Sequence, residues 1–271
     1  MELGLSGRTA LVTGANNPLG IGAAAALALA REGARVAVAY WPLDEPYDPA
    51  GLDRCGSDLY HRLRSLDGAE VGARLRAAGA DFCLLEADLT LPGAAEALLD
   101  RAEAALGPVD ILVGNAAYAA DDDALLTLSA SGLDETFALN VRAALLLTQA
   151  FVRRLRARDG RWGRVIHLST DAAQTFAGQL GYGASKAAVE AFTRAAAIEA
   201  APYGVTVNAV APGPVQTGYI DAETASRVRP DIPLGRLGRP EDIADAIVFL
   251  ASERADWLTG QVLKVSGGHE I

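Results

Sequence analysis

The chain has 271 residues, 51% of them hydrophobic but only 6% aromatic, and carries a formal net charge of −10 with a pI near 4.8. No run of Lys and Arg offsets that acidic excess, so nonspecific binding to nucleic-acid backbones or anionic membrane surfaces is excluded. Cys55 and Cys83 lack the number and spacing of a disulfide framework or zinc site, and His61, His167 and His269 are too scattered to make a metal cluster.

Short aliphatic runs alternate with longer helical patterns from beginning to end, which predicts a parallel sheet with helices on both faces. The opening MELGLSGRTALVTG has no basic stretch followed by a long apolar one, and no later run approaches ~18 apolar residues, so a cytoplasmic location is expected. TALVT near residue 10 reads as the first strand, running into GANNPLGIG and an Ala-rich helix from Gly20 to Arg31 that Gly33 closes. Gly14, Gly20 and Gly22 let this turn approach a ligand closely, and free N–H groups at the helix start, around Ile21, favour a pyrophosphate. Five residues separate Gly14 from Gly20, so Asn16 and Asn17 either reach phosphates through their amides or form a neutral insertion.

RVAVAY near 38 is the second strand, ending at Tyr40 and Trp41. Residues 42–66, rich first in Pro, Asp and Gly and then helical, lengthen the next connection beyond an ordinary crossover. They read as a surface elaboration or oligomer contact, or as a flap near the adenosine end of a nucleotide. DFCLLEAD near 85, DILVGN near 112, RVIHLS near 166, VTVNAVAP near 208 and QVLKVS near 263 complete about seven strands. Helices are expected over Leu133 to Arg158, Gly181 to Ala201 and Pro240 to Ala251. His167, late in its strand, reads as a hydrogen-bonded core residue. No repeat or low-complexity linker interrupts the chain, so one domain is expected over 1–271.

YGASK places Tyr182 and Lys186 one helical turn apart on one face. Such a pair is either a solvated helix face or a proton-transfer site, because an ammonium beside a phenol lowers its pKa from about 10. Following a glycine turn in an alternating chain, the second reading gains weight.

Together these features resemble the short-chain dehydrogenase/reductase family. The likeness rests on the turn at 13–22, Asp88-Leu89, GNAA at 114–117, Asn140, YGASK, APGPVQTG at 211–218 and the ending ADWLTGQVLKVSGG. It implies a single Rossmann-type doubly wound sheet and an NAD(P)-dependent oxidoreductase that moves hydride between a nicotinamide and a small-molecule carbonyl or secondary alcohol. Members include 3-oxoacyl-carrier-protein reductases. Other outcomes on the same fold are an epimerase, a dehydratase, an imine reductase or a non-catalytic nucleotide sensor.

By this resemblance Tyr182 is the general acid or base, Lys186 lowers its pKa and holds the nicotinamide ribose, and Asn140 anchors a water in a proton relay. The substrate-orienting hydroxyl is Ser169 if counted back from Tyr182, or Thr170 if the strand end is matched. Asp88 meets adenine with Leu89 beside it, and Asn115, Ala116 and Ala117 line the central ribose, although the family usually has Asn at Gly114 and Gly at Ala117. Pro212, Gly213, Val215 and Thr217 meet the carboxamide and pyrophosphate. Tyr40 stands where an acid would select NAD, so the cofactor is NADP or NAD with the balance toward NADP, and His61, Arg62 or Arg64 would add charge if their segment folds back. Residues 218–233 occupy the place of a mobile substrate lid, where Arg227 and Arg229 are candidate anion contacts. A homodimer or homotetramer is implied, without metal.

Overall fold

The computed structural model describes residues 2–173 and 175–270. Seven parallel strands form one sheet in the order β3-β2-β1-β4-β5-β6-β7. They are β1 (Thr9–Thr13), β2 (Arg35–Tyr40), β3 (Phe82–Glu86), β4 (Ile111–Gly114), β5 (Gly163–Leu168), β6 (Val205–Pro212) and β7 (Val262–Val265). The seven predicted strands are thus all present. Val12 lies between Val38 on one side and Val113 on the other, which sets the central register.

Side chains alternate across each strand, so each inner strand feeds two cores. Ala10, Val12, Val36, Val38, Ile111, Val113 and Ile166 pack on one face with α1 (Ile21–Arg31), α3 (Ala69–Ala77) and α9 (Pro240–Ala251). Leu11, Ala37, Ala39, Leu112 and Val165 face α4 (Ala94–Leu106), α6 (Ala144–Ala157) and α7 (Leu180–Ala200). A sealed side chain such as Leu11 contributes about 1.5–3 kcal/mol through burial. The strand order reverses direction between β1 and β4, and in such sheets ligands bind in the crevice at the carboxyl ends of those strands.

Two elements differ from the sequence reading, the long helix before β5 and the lid, while the helical end of 42–66 is as expected. The helix expected over Leu133 to Arg158 begins earlier, as α5 (Ala130–Phe137), and is broken by a π-helical turn over Ala138–Ala143 before α6 resumes. Ser129 sets the early start, its hydroxyl accepting from Gly132 N at 3.1 Å. Residues 42–66 contain a single 3-10 turn over Pro49–Gly51 and α2 (Ser57–Arg64). The expected mobile lid holds α8 (Ala222–Val228), whose first turn is capped by Asp221 accepting from Thr224 N at 2.7 Å.

Candidate active site

A cavity of about 600 Å³ opens at the switch point, and nearly every site residue expected from the sequence lines it. Gly14, Asn16, Asn17, Gly20, Ile21 and Gly22 come from the first turn, Tyr40 and Trp41 from the end of β2, and Asp88 and Leu89 from the segment after β3. Asn115, Ala116 and Ala117 follow β4, Ser169 and Thr170 follow β5, and Pro212, Gly213, Val215 and Thr217 come from the end of β6 and beyond. Tyr182 and Lys186 enter from α7. Asn140 is buried outside this lining.

The first turn is shaped for a dinucleotide. Gly14 has φ +65°, and a Cβ there would stand 2.7 Å from Ala116 Cα, so only glycine fits between the ends of β1 and β4. Helix α1 starts with neither a side-chain cap nor an acid in its first turn, leaving its N-terminal N–H groups and positive dipole end for an anion. Asn115 braces the crevice: its Nδ2 donates to Thr13 O and Gly14 O, both at 2.8 Å.

The two asparagines of the long turn do not hold out their amides to phosphates, as one reading of the sequence had it. Asn16 Nδ2 donates to Arg64 O (2.8 Å) and Leu66 O (2.9 Å), and Asn17 Nδ2 donates to Thr217 O (3.1 Å). Asn17 Oδ1 accepts from Leu19 N at 2.8 Å. The amide donors are thereby taken up by backbone carbonyls, which as part-buried acceptors need partners. The 42–66 segment is thereby drawn over the cavity, where Leu43, Tyr60 and Arg64 join its lining. His61 and Arg62 stay out of the lining, and Arg227 and Arg229 are exposed elsewhere.

Helix α7 begins under restraint from afar. Asp123 is buried, and its Oδ1 and Oδ2 accept from Gly181 N (2.6 Å) and Tyr182 N (2.8 Å). Its carbonyl also accepts from Leu180 N at 2.8 Å. A carboxylate at a helix amino terminus is favoured by both the hydrogen bonds and the dipole. Asn140 lies within the π turn, with Oδ1 accepting from Tyr118 N and Nδ2 donating to Tyr118 O, both at 2.8 Å. The same Nδ2 donates to Ser185 Oγ at 2.9 Å, and Ser185 Oγ donates to Tyr182 O at 2.7 Å. The side chain thus braces protein groups at the π turn.

Lys186 is buried and donates to Leu168 O at 2.7 Å, with its Nζ 5.5 Å from the centre of the Tyr182 ring. Burial brings its ammonium down to about 8. Tyr182, half-buried and edge-on to Phe176 at 5.5 Å, moves the other way: burial pushes its phenol well above its ordinary value, and the neighbouring Tyr60 adds to the push. Removal from water disfavours the phenolate, so in this structure burial sets the direction of the shift.

Ser169 and Thr170 are separated by their partners. Ser169 is buried, and its Oγ donates to Glu190 Oε1 at 2.8 Å. Glu190 lies one turn beyond Lys186 on α7, a spacing visible in the sequence but not singled out there. Thr170, half-buried, is the next residue along and lines the cavity. Asp88 Oδ1 accepts from the N and Oγ1 of Thr90 at 2.9 and 2.6 Å. Around Tyr40, burial and the nearby Glu86 and Asp67 raise the phenol while Arg101 opposes them, so acids do stand near the expected ribose position.

His167 is the core residue predicted, kept neutral by burial and by Lys186, with its pKa lowered to about 3. Thr148 Oγ1 donates to Ala144 O at 2.8 Å, so at 3.2 Å it accepts from His167 Nε2. The ring lies over Gly114, where a Cβ would come within 2.7 Å of Nδ1. That explains the departure at Gly114: the space of the usual Asn is filled by an imidazole.

Fold and cavity define a dinucleotide-dependent oxidoreductase. A family model described as enoyl-(acyl carrier protein) reductase matches residues 50–270. The uncharacterized oxidoreductase YjdA of Bacillus subtilis (strain 168) is 35% identical over 262 residues, covering 96% of each chain. NADPH-dependent aldehyde reductase 2, chloroplastic, of Arabidopsis thaliana is 36% identical, covering 97% of this chain and 94% of its own. A putative 2-deoxy-D-gluconate 3-dehydrogenase from Agrobacterium tumefaciens, solved with bound NADP, superposes with a TM-score of 0.80 at 32% identity, covering 97% of this chain and 96% of its own. The chain belongs to the short-chain dehydrogenase/reductase family and is an NAD(P)-dependent oxidoreductase. No helix among the described residues is long and apolar enough to cross a membrane.

Proposed function

We propose that the enzyme reduces a small-molecule carbonyl, with Tyr182 delivering the proton and Thr170 orienting the substrate oxygen. The observation that carries this reading is that Tyr182, Lys186 and Thr170 share one cavity with the glycine turn. When bound, the nicotinamide cofactor supplies the hydride. A phenol whose pKa is raised is protonated at neutral pH, which is the form a carbonyl reduction consumes. Thr170 Oγ1 donates to the oxygen as negative charge develops there, a role Ser169 does not share because its proton is committed to Glu190. Lys186 holds the nicotinamide ribose, Asn140 keeps Tyr118 and the catalytic helix in register, and Asp88 with Leu89 receives the adenine.

NADP is the preferred cofactor in this reading. Arg74 reaches the turn by donating to Pro18 O at 2.8 Å, and the named relatives include an NADPH-dependent and an NADP-bound protein. Glu86 and Asp67 favour the opposite choice, so cofactor fluorescence titration decides: NADPH is expected to bind at least about tenfold tighter than NADH, a difference of ~1.4 kcal/mol. Equal affinities, or tighter binding of NADH, overturn the preference.

The chain acts as one domain, with 42–66 and 218–233 as covers, in the cytoplasm. Leu145 and Leu146 on α6 and Ile198 on α7 are exposed apolar side chains, which supports a homodimer or homotetramer built on those helices. Sedimentation at micromolar concentration tests it, and a monomer refutes it.

A further inference from the structure

The connection between β2 and β3 is more than a surface elaboration, because it is fastened at both ends of the cavity. Asn16 holds the carbonyls of Arg64 and Leu66, while Gly56 N donates to Gly218 O at 2.8 Å at the start of the lid. Between these ties, Tyr60 lines the same cavity as Tyr182. Its ring is held from two sides, by the Arg64 guanidinium 5.1 Å from the ring centre and by Tyr219 edge-on at 5.3 Å. Arg64 is itself positioned by Glu45 at 3.2 Å.

We propose that Tyr60 is a specificity-determining residue that walls the space beside Tyr182 and restricts the enzyme to short, polar carbonyl compounds. The proposal rests on the carbonyl-reductase reading above. One cavity of about 600 Å³ must take both the dinucleotide and its substrate, and a drug-sized ligand alone fills such a volume. A ring clamped between a guanidinium and a second aromatic is rigid, so it excludes bulk instead of swinging aside. The Arg64 guanidinium beside the ring presents hydrogen-bond donors on that wall, which reward an oxygen-bearing substrate and penalise an alkyl chain.

The test compares kcat/KM for octanal and glyceraldehyde with NADPH in the native enzyme, Tyr60→Ala and Tyr60→Phe. Native turnover should favour glyceraldehyde. Tyr60→Ala should raise the octanal-to-glyceraldehyde ratio at least about tenfold, while Tyr60→Phe, which keeps the ring, should change it by less than about threefold. Tyr219→Ala, which removes only the edge contact, should move the ratio in the same direction by less. An unchanged ratio in Tyr60→Ala overturns the proposal. So does a loss of NADPH affinity in Tyr60→Ala as large as the loss of glyceraldehyde kcat/KM, which would put Tyr60 in the cofactor's space. Glyceraldehyde turnover by the native protein reports on the reductase reading itself, so the two fail separately.

Discussion

Ser169 Oγ donates to Glu190 Oε1 at 2.8 Å in a buried contact, and this ion–hydroxyl pair separates two hydroxyls that stand side by side in the chain. Both residues line the cavity, but the Ser169 proton is committed to Glu190 on α7. Thr170→Val should therefore lower kcat by ~10²-fold or more, the scale of one oxyanion donor. Ser169→Ala should lower kcat far less but destabilise the protein by about 1–3 kcal/mol, because a buried carboxylate oxygen loses its donor. Steady-state kinetics and urea melts of both variants decide it, and the reverse pattern would reassign the hydroxyl to Ser169.

Tyr182→Phe removes the phenolic proton and keeps the ring against Phe176. Turnover should fall by at least ~10²-fold with NADPH affinity within about threefold of native. Near-native turnover would take Tyr182 out of the reaction.

The buried Lys186 gives the enzyme an alkaline limit. Its ammonium titrates at about 8, below the ordinary value of 10.5, so the charge is present below pH ~8 and lost above it. Reduction should fall as pH rises through that value, measured as kcat under saturating cofactor. The stability sign runs oppositely: between about 8 and 10.5 the unfolded chain holds more protons at this site, so folding stability rises with pH across the window. Lys186→Met should remove that part of the rise in urea melts taken at the two ends of the window. An identical rise in both proteins would show that the amine is not depressed.

Gly114 and His167 form a matched pair. Gly114→Ala puts a methyl within 2.7 Å of His167 Nδ1 and should cost about 1–3 kcal/mol by overpacking. Adding His167→Ala should recover part of that loss, a coupling that a double-mutant cycle reads by thermal melting. Strictly additive losses would refute the contact.

Asn16→Ala should loosen the cover without touching the glycines of the turn. Amide exchange across 57–66 should accelerate at least ~10-fold while the strands of the sheet keep their protection. Unaltered exchange there would mean that the two carbonyl contacts do not hold the segment.

The sheet was legible because short continuous aliphatic runs and glycine punctuation are local signals: TALVT and RVAVAY mark β1 and β2 directly. The glycine turn was legible for the same reason, since ligands gather where strands end, whereas most of the other lining residues came from the family resemblance. What the sequence hid were partners distant along the chain. Nothing near Asn16 announces a bond to Arg64, nothing in the acidic run 121–123 marks Asp123 as the cap of α7, and burial, which sets the direction of the Tyr182 shift, depends on the whole molecule. The π turn at Asn140 likewise interrupts an unbroken helical pattern for tertiary reasons.

The grip of Asp123 on Tyr182 N spans 59 positions of sequence. The seating of that phenol therefore depends on a loop far upstream, and a chain whose 121–123 loop is displaced would keep its YGASK segment intact while losing the cap that holds the start of α7.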